Sequence, residues 1–154
     1  MDASLVEMPG RLAILGINRA EAVMKAHDYR EWVIGGHSLG GACAAMFASS
    51  HGDALTGIAL LAAYPTKPLP EGIKLVSIYG SNDGVLNMKK YEEGRKYAPA
   101  DAGECVIQGG NHAQFGSYGP QKGDGAASIS AEDQVRTAVD FIMDNLAQGS
   151  ESDA

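Results

Sequence analysis

Glu31-Trp32-Val33-Ile34-Gly35-Gly36-His37-Ser38-Leu39-Gly40-Gly41-Ala42-Cys43-Ala44-Ala45-Met46-Phe47-Ala48 is the stretch that decides the fold. Its first five residues read as a short buried strand, and the small apolar residues from Gly41 onward read as a tightly packed helix. Between them, Gly36-His37-Ser38-Leu39-Gly40 fits G-x-S-x-G, in which a serine rides a sharp strand-to-helix elbow with its hydroxyl at the carboxyl end of a sheet. The reading makes both glycines necessary, because side chains at 36 and 40 would clash where strand and helix converge. In a chain with 20 glycines such a pattern arises readily by chance. An ordinary turn with Ser38 as a helix cap would read the same way. The rest of the chain must decide between the two.

Working outward, residues 57–62 form a continuous apolar run, as expected of a strand covered on both faces. Residues 64–72 hold three prolines and read as loop. Residues 73–79 are the next strand, followed by a Gly80-Ser81-Asn82-Asp83-Gly84 turn and a charged helix over about 86–97. A last short strand covers 104–108 and closes on Gly109-Gly110. Residues 111–129 are glycine-rich and aperiodic. Ser130, with Asp133 at the capping-box distance, opens a final helix whose expected apolar face is Val135, Val139, Ile142, Met143 and Leu146. Upstream, Ile17, Ala20, Val23, Met24 and His27 recur at helical spacing over 17–27. Leu5-Val6-Glu7-Met8 reads as a strand remnant ended by Pro9-Gly10, and 148–154 as a frayed tail. Alternating strands and helices with no linker predict a single domain over 1–154. Its fold class is α/β, a parallel sheet with helices on both faces and ligands beyond the carboxyl ends of the strands.

Composition narrows the partners. The chain of 154 residues is 45% hydrophobic with a net charge of -7, which disfavours nucleic acid or an anionic membrane surface. The longest apolar runs are far too short to span a bilayer. Cys43 and Cys105 each fall in an apolar element and read as packing residues, and no spacing of histidines and cysteines suggests a metal site. The first residues lack the pattern of a signal peptide, so a cytoplasmic location is expected.

Three loops at the carboxyl end of the predicted sheet carry chemistry: Ser38, Asp83 and His112. A serine hydroxyl needs a base to take its proton as it attacks, and imidazole titrates near neutrality. A carboxylate then holds the imidazole in the useful tautomer. Asp83 directly follows a strand, whereas Asp101 and Asp124 are less well placed; its other role would be an Asx turn with Gly84. His112 follows the diglycine after the last strand. His27 and His51 sit near helix ends and read as solvated or dipole partners. The backbone N–H of Leu39 is positioned as an oxyanion donor. His37, Phe115 and Tyr118 are candidates for the substrate pocket, although the two aromatics could equally anchor their glycine-rich loop.

On residues 32–41, 77–84 and above all Gly109-Gly110-Asn111-His112-Ala113-Gln114-Phe115-Gly116-Ser117-Tyr118-Gly119-Pro120-Gln121, the chain resembles bacterial α/β-hydrolases related to dienelactone hydrolases and carboxylesterases. The likeness runs from about Met8 to the final helix. It implies a three-layer α/β-hydrolase fold and an esterase that cleaves a small-molecule ester without a cofactor, with Ser38 as nucleophile, Asp83 as acid and His112 as base. Members of that family carry more chain before the segment matching Met8, so the resemblance also implies an N-terminally truncated fold. The loop that usually gives a second oxyanion N–H would be missing, and an exposed sheet edge would invite a homo-oligomer. An alternative follows from this: a catalytically weak or inactive fragment serving as an assembly or interaction module. A thioesterase or acyltransferase would use the same triad. The short 64–72 connection leaves no room for a lid.

Overall fold

The apolar runs around residues 60 and 76 become the two inner strands of a four-stranded parallel sheet. The computed structural model describes residues 2–7 and 16–146. Along the chain run α1 (Arg19–Lys25), β1 (Val33–His37), α2 (Leu39–His51), β2 (Gly57–Leu61), β3 (Lys74–Gly80), α3 (Met88–Gly94), β4 (Gly103–Ile107) and α4 (Ala131–Leu146). The strand order is β1-β2-β3-β4, each pair parallel.

Strand alternation gives the sheet two apolar faces, and register aligns them. Ile34, Ile58 and Leu75 lie in one row, and Gly35, Ala59 and Val76 in the row facing the other way. On the first face Ile58, Leu60 and Leu75 pack with Ala45, Phe47 and Ala48 of α2, edged by Ile17, Ala20, Met24 and Trp32. On the second face Ala59, Val76, Ile78 and Ile107 pack with Ala138 and Leu146 of α4. Full burial of side chains such as Ile58, Leu60 and Ile78 contributes about 1.5–3 kcal/mol each. Helices thus cover both faces, and the layered α/β expectation holds. A polar tie fastens α3 to the sheet: Tyr91 Oη donates to Glu104 Oε2 at 2.6 Å and lies 3.0 Å from Ser77 Oγ.

Several sequence expectations are corrected. Residues 2–7 form no strand, and Met8, Pro9 and Gly10 lie outside the described residues, as does the 148–154 tail. α1 is shorter than 17–27. α3 begins at Met88 rather than near Leu86, because the Leu86 N–H is taken by Asp83 Oδ1 at 2.7 Å and Asn87 Oδ1 caps Lys90 N at 3.0 Å. Ser130 does cap α4, accepting from Asp133 N at 3.0 Å. The buried face of α4 matches the expected one only in part: Leu146 lies in the core and Ile142 packs against it. Val135, Val139 and Met143 are 44%, 48% and 40% exposed, while Gln134 is fully buried. Gln134 Oε1 accepts from Asn111 N at 3.0 Å and its Nε2 donates to Asn111 O at 2.8 Å. Satisfying those two backbone groups turns Gln134 and Ala138 toward the sheet and Val135 away from it.

Cys43 is buried, Cys105 half-buried, and both are free thiols. Among the described residues no helix is long and apolar enough to cross a membrane, and no group of His, Cys, Asp and Glu could hold a metal ion. β1 ends the sheet among these residues, with Val33 and Gly35 exposed.

Candidate active site

β1 runs straight into α2 through one residue. Ser38 has φ 53° and ψ −122°, a backbone state that L-residues rarely hold, and its side chain makes no capping hydrogen bond. The helix-cap reading of Ser38 is therefore excluded. The elbow is fixed on both sides, by Ser38 N donating to Leu61 O at 2.9 Å and Ala42 N donating to Ser38 O at 3.0 Å. Close approach explains two of the glycines: a Cβ on Gly36 would lie 2.5 Å from the Gly40 carbonyl carbon, and one on Gly41 2.5 Å from Ala63 Cβ. Gly40 meets nothing within 4 Å, so the steric demand expected of it falls on Gly41 instead. Leu39 opens α2, and its N–H belongs to the first turn, where the helix offers no acceptor and the dipole favours negative charge.

Asp83 and His112 meet at the ends of β3 and β4. Asp83 Oδ1 accepts from Val85 N at 2.9 Å and Leu86 N at 2.7 Å, which aims the second oxygen at the histidine. Asp83 Oδ2 lies 2.8 Å from His112 Nδ1, and both side chains are 1% exposed. Because a carboxylate only accepts, Nδ1 carries the proton and Nε2 is left as the basic nitrogen. That Nε2 is buried without a hydrogen-bond partner. An unsatisfied buried nitrogen costs about 1–3 kcal/mol, and it marks where a hydroxyl would be received. No hydrogen bond joins it to Ser38 Oγ here; such bonds commonly tighten only when substrate is present.

The elbow and the histidine loop are nevertheless neighbours. The His37 ring, adjacent in sequence to Ser38, lies 4.5 Å from the His112 ring. It also stacks on Tyr118 at 5.9 Å and tilts against Phe115 at 5.7 Å. Burial first, then the neighbouring His112, pushes the His37 pKa down to about 4, with Asp83 and Asp124 opposing. His37 is therefore a neutral ring beside His112 at pH 7. Phe115 touches His37 and also packs against the α4-side core, so it anchors the loop as well as facing the site. Tyr118 is 53% exposed; its ring folds back over Gly116, where a Cβ would lie 2.2 Å away. The structure thus brings His37, Asp83, His112, Phe115 and Tyr118 together, with Ser38 and Leu39 at the adjoining elbow.

Two residues around this cluster carry no motif in the sequence. Gln134 holds the Asn111 backbone from α4, and Asp124 accepts backbone N–H groups from both loops. The only trace of the second is an aspartate between glycines, Gly123-Asp124-Gly125, in a segment without periodicity.

Comparison with curated proteins gives no match. The sequence model of the alpha/beta hydrolase family matches residues 1–136. That span includes the elbow at Ser38, the Asp83 turn, the His112 loop and the first turn of α4, and this chain belongs to the alpha/beta hydrolase family.

Proposed function

We propose that the protein is a serine hydrolase of small carboxylic esters, of the dienelactone hydrolase and carboxylesterase type, with Ser38 as nucleophile, His112 as base and Asp83 as acid. The observation that carries this reading is the buried Asp83–His112 pair with an unpartnered Nε2, beside a serine held at positive φ. Ser38 Oγ attacks the ester carbonyl carbon while its proton passes to His112 Nε2. The Leu39 N–H faces the developing oxyanion. His112 then gives the proton to the departing alkoxide, which leaves as an alcohol. Water attacks the acyl-enzyme by the same route in reverse, releasing the acid and restoring Ser38.

His37, Phe115 and Tyr118 form the aromatic wall of the acyl or leaving-group pocket. With only residues 62–73 between β2 and β3, that connection supplies no lid, which favours short, soluble esters. The free thiols of Cys43 and Cys105 fit a reducing compartment such as the cytoplasm. Pre-steady-state hydrolysis of p-nitrophenyl acetate tests the reading. A burst of p-nitrophenol equal to the enzyme present, absent in Ser38→Ala, is expected; equal turnover by both proteins would overturn it.

A further inference from the structure

We propose that Asp124 is a positioning residue, whose carboxylate buckles the turn that carries Asp83 to the loop that carries His112. This rests on the reading of Asp83 and His112 as acid and base. Asp124 Oδ1 accepts from Gly84 N at 3.1 Å, His112 N at 3.1 Å and Gly125 N at 2.9 Å, and Oδ2 accepts from Ala113 N at 2.8 Å. Gly84 is the residue after the acid, and His112 contributes its own backbone. One carboxylate therefore bridges segments 40 and 12 residues away, on either side of the Asp83–His112 hydrogen bond.

The packing around it is built for this approach. A Cβ on Gly84 would lie 2.3 Å from Gly123 O, and one on Gly125 2.1 Å from Asn82 O. Asn82 Nδ2 donates to Ala126 O and Asn111 Nδ2 to Gly125 O, each at 2.9 Å. Two neighbours of the reacting groups thus reach back to the same short segment. The residue type is dictated by the donors: four N–H groups converge, and only a group with two acceptor oxygens and no hydrogen of its own receives all four. An asparagine would either turn its NH2 toward the Ala113 N–H or toward the three N–H groups at Oδ1. Burial works against the charge on Asp124, but the backbone N–H groups of Ala113, Gly84, His112 and Gly125 outweigh it and hold the carboxyl below its ordinary value.

A shift of the imidazole by an ångström is enough to cost about 100-fold in rate, so the clamp is read in kcat. Asp124→Asn, compared at equal folded concentration, should lose about 10- to 100-fold in kcat with KM within about twofold. In an Asp83→Asn background, where orientation is already lost, the further loss should fall below about threefold. Unchanged kcat, or losses that multiply in the double variant, would refute a positioning role. A second measurement needs no variant. In the wild-type protein the amide protons of Gly84, His112, Ala113 and Gly125 should shift with pH at one common midpoint below the usual carboxylate range. Four unrelated midpoints would refute the clamp even if Asp124→Asn did not fold. Absence of Ser38-dependent turnover in the wild-type protein would instead remove the triad reading, and with it the catalytic half of the proposal, while the amide titration still decides the clamp.

Discussion

Replacing Ser38 with glycine should stabilise the fold while abolishing turnover. Ser38 holds φ 53° and ψ −122°, and a non-glycine residue in so sparsely populated a state carries about 1–3 kcal/mol of strain. Glycine adopts that state freely but gives the unfolded chain extra freedom, which returns about 0.5–1 kcal/mol. The net expectation is about 1 kcal/mol of added stability. For a chain of 154 residues this corresponds to a Tm about 2–4 °C higher. Ser38→Ala is the proper reference, because it removes the same hydroxyl but keeps the Cβ that makes the backbone strained. Differential scanning calorimetry of the two variants isolates the term. A Ser38→Gly protein melting at or below Ser38→Ala would refute the idea that strain is stored at the elbow.

Three other outcomes follow from the same geometry. Asp83→Asn keeps the shape but loses the tautomer control exerted at 2.8 Å on His112 Nδ1; kcat for p-nitrophenyl acetate should fall by about 10⁴ with KM little changed. His37 has its pKa lowered from 6.5 to about 4, so below pH 6.5 the unfolded chain binds a proton that the folded chain refuses. Stability should fall between pH 6.5 and about 4 and level off beneath, by about 1–2 kcal/mol after discounting for the ring's partial exposure. Urea titrations of His37→Phe should lack that component, and a wild-type curve identical to the variant's would contradict it. Gln134→Leu strands the Asn111 N–H and C=O that the amide now satisfies, an expected loss of about 2–4 kcal/mol in chemical denaturation; a loss under about 0.5 kcal/mol would mean those groups find water instead.

Local chemistry made much of the fold legible. Short apolar runs around 34, 59 and 76, the first and last followed by glycine-rich turns and the middle one by a loop with three prolines, could hardly be anything but strands of a covered parallel sheet. The order serine, acid, histidine tied three loops to one end of it. What pattern alone could not supply was rotation and satisfaction. Of the apolar stripe Val135, Val139, Ile142, Met143 and Leu146, only Ile142 and Leu146 pack on the sheet side; nearer the start of α4 the buried amide of Gln134 takes that place, because two backbone groups of Asn111 need partners. The steric role expected of Gly40 belongs to Gly41, a distinction set by where Ala63 and Gly36 lie in space. Asp124 was legible only as a weaker rival to Asp83, since nothing in one dimension reveals four N–H groups converging from three segments. The strand expected over 5–8 is absent over its described residues, 5–7, where a two-residue apolar run, Leu5-Val6, is too brief to specify one.

Covalent labelling tests the central claim most directly. The protein should be treated with a fluorophosphonate and digested, and the modified peptide read by mass spectrometry, alongside His112→Ala. A single adduct on Ser38, formed rapidly by the wild-type protein and lost or strongly slowed in the variant, is the predicted result. No adduct, or an adduct on a different serine, would contradict the reading of Ser38 as a nucleophile activated by His112.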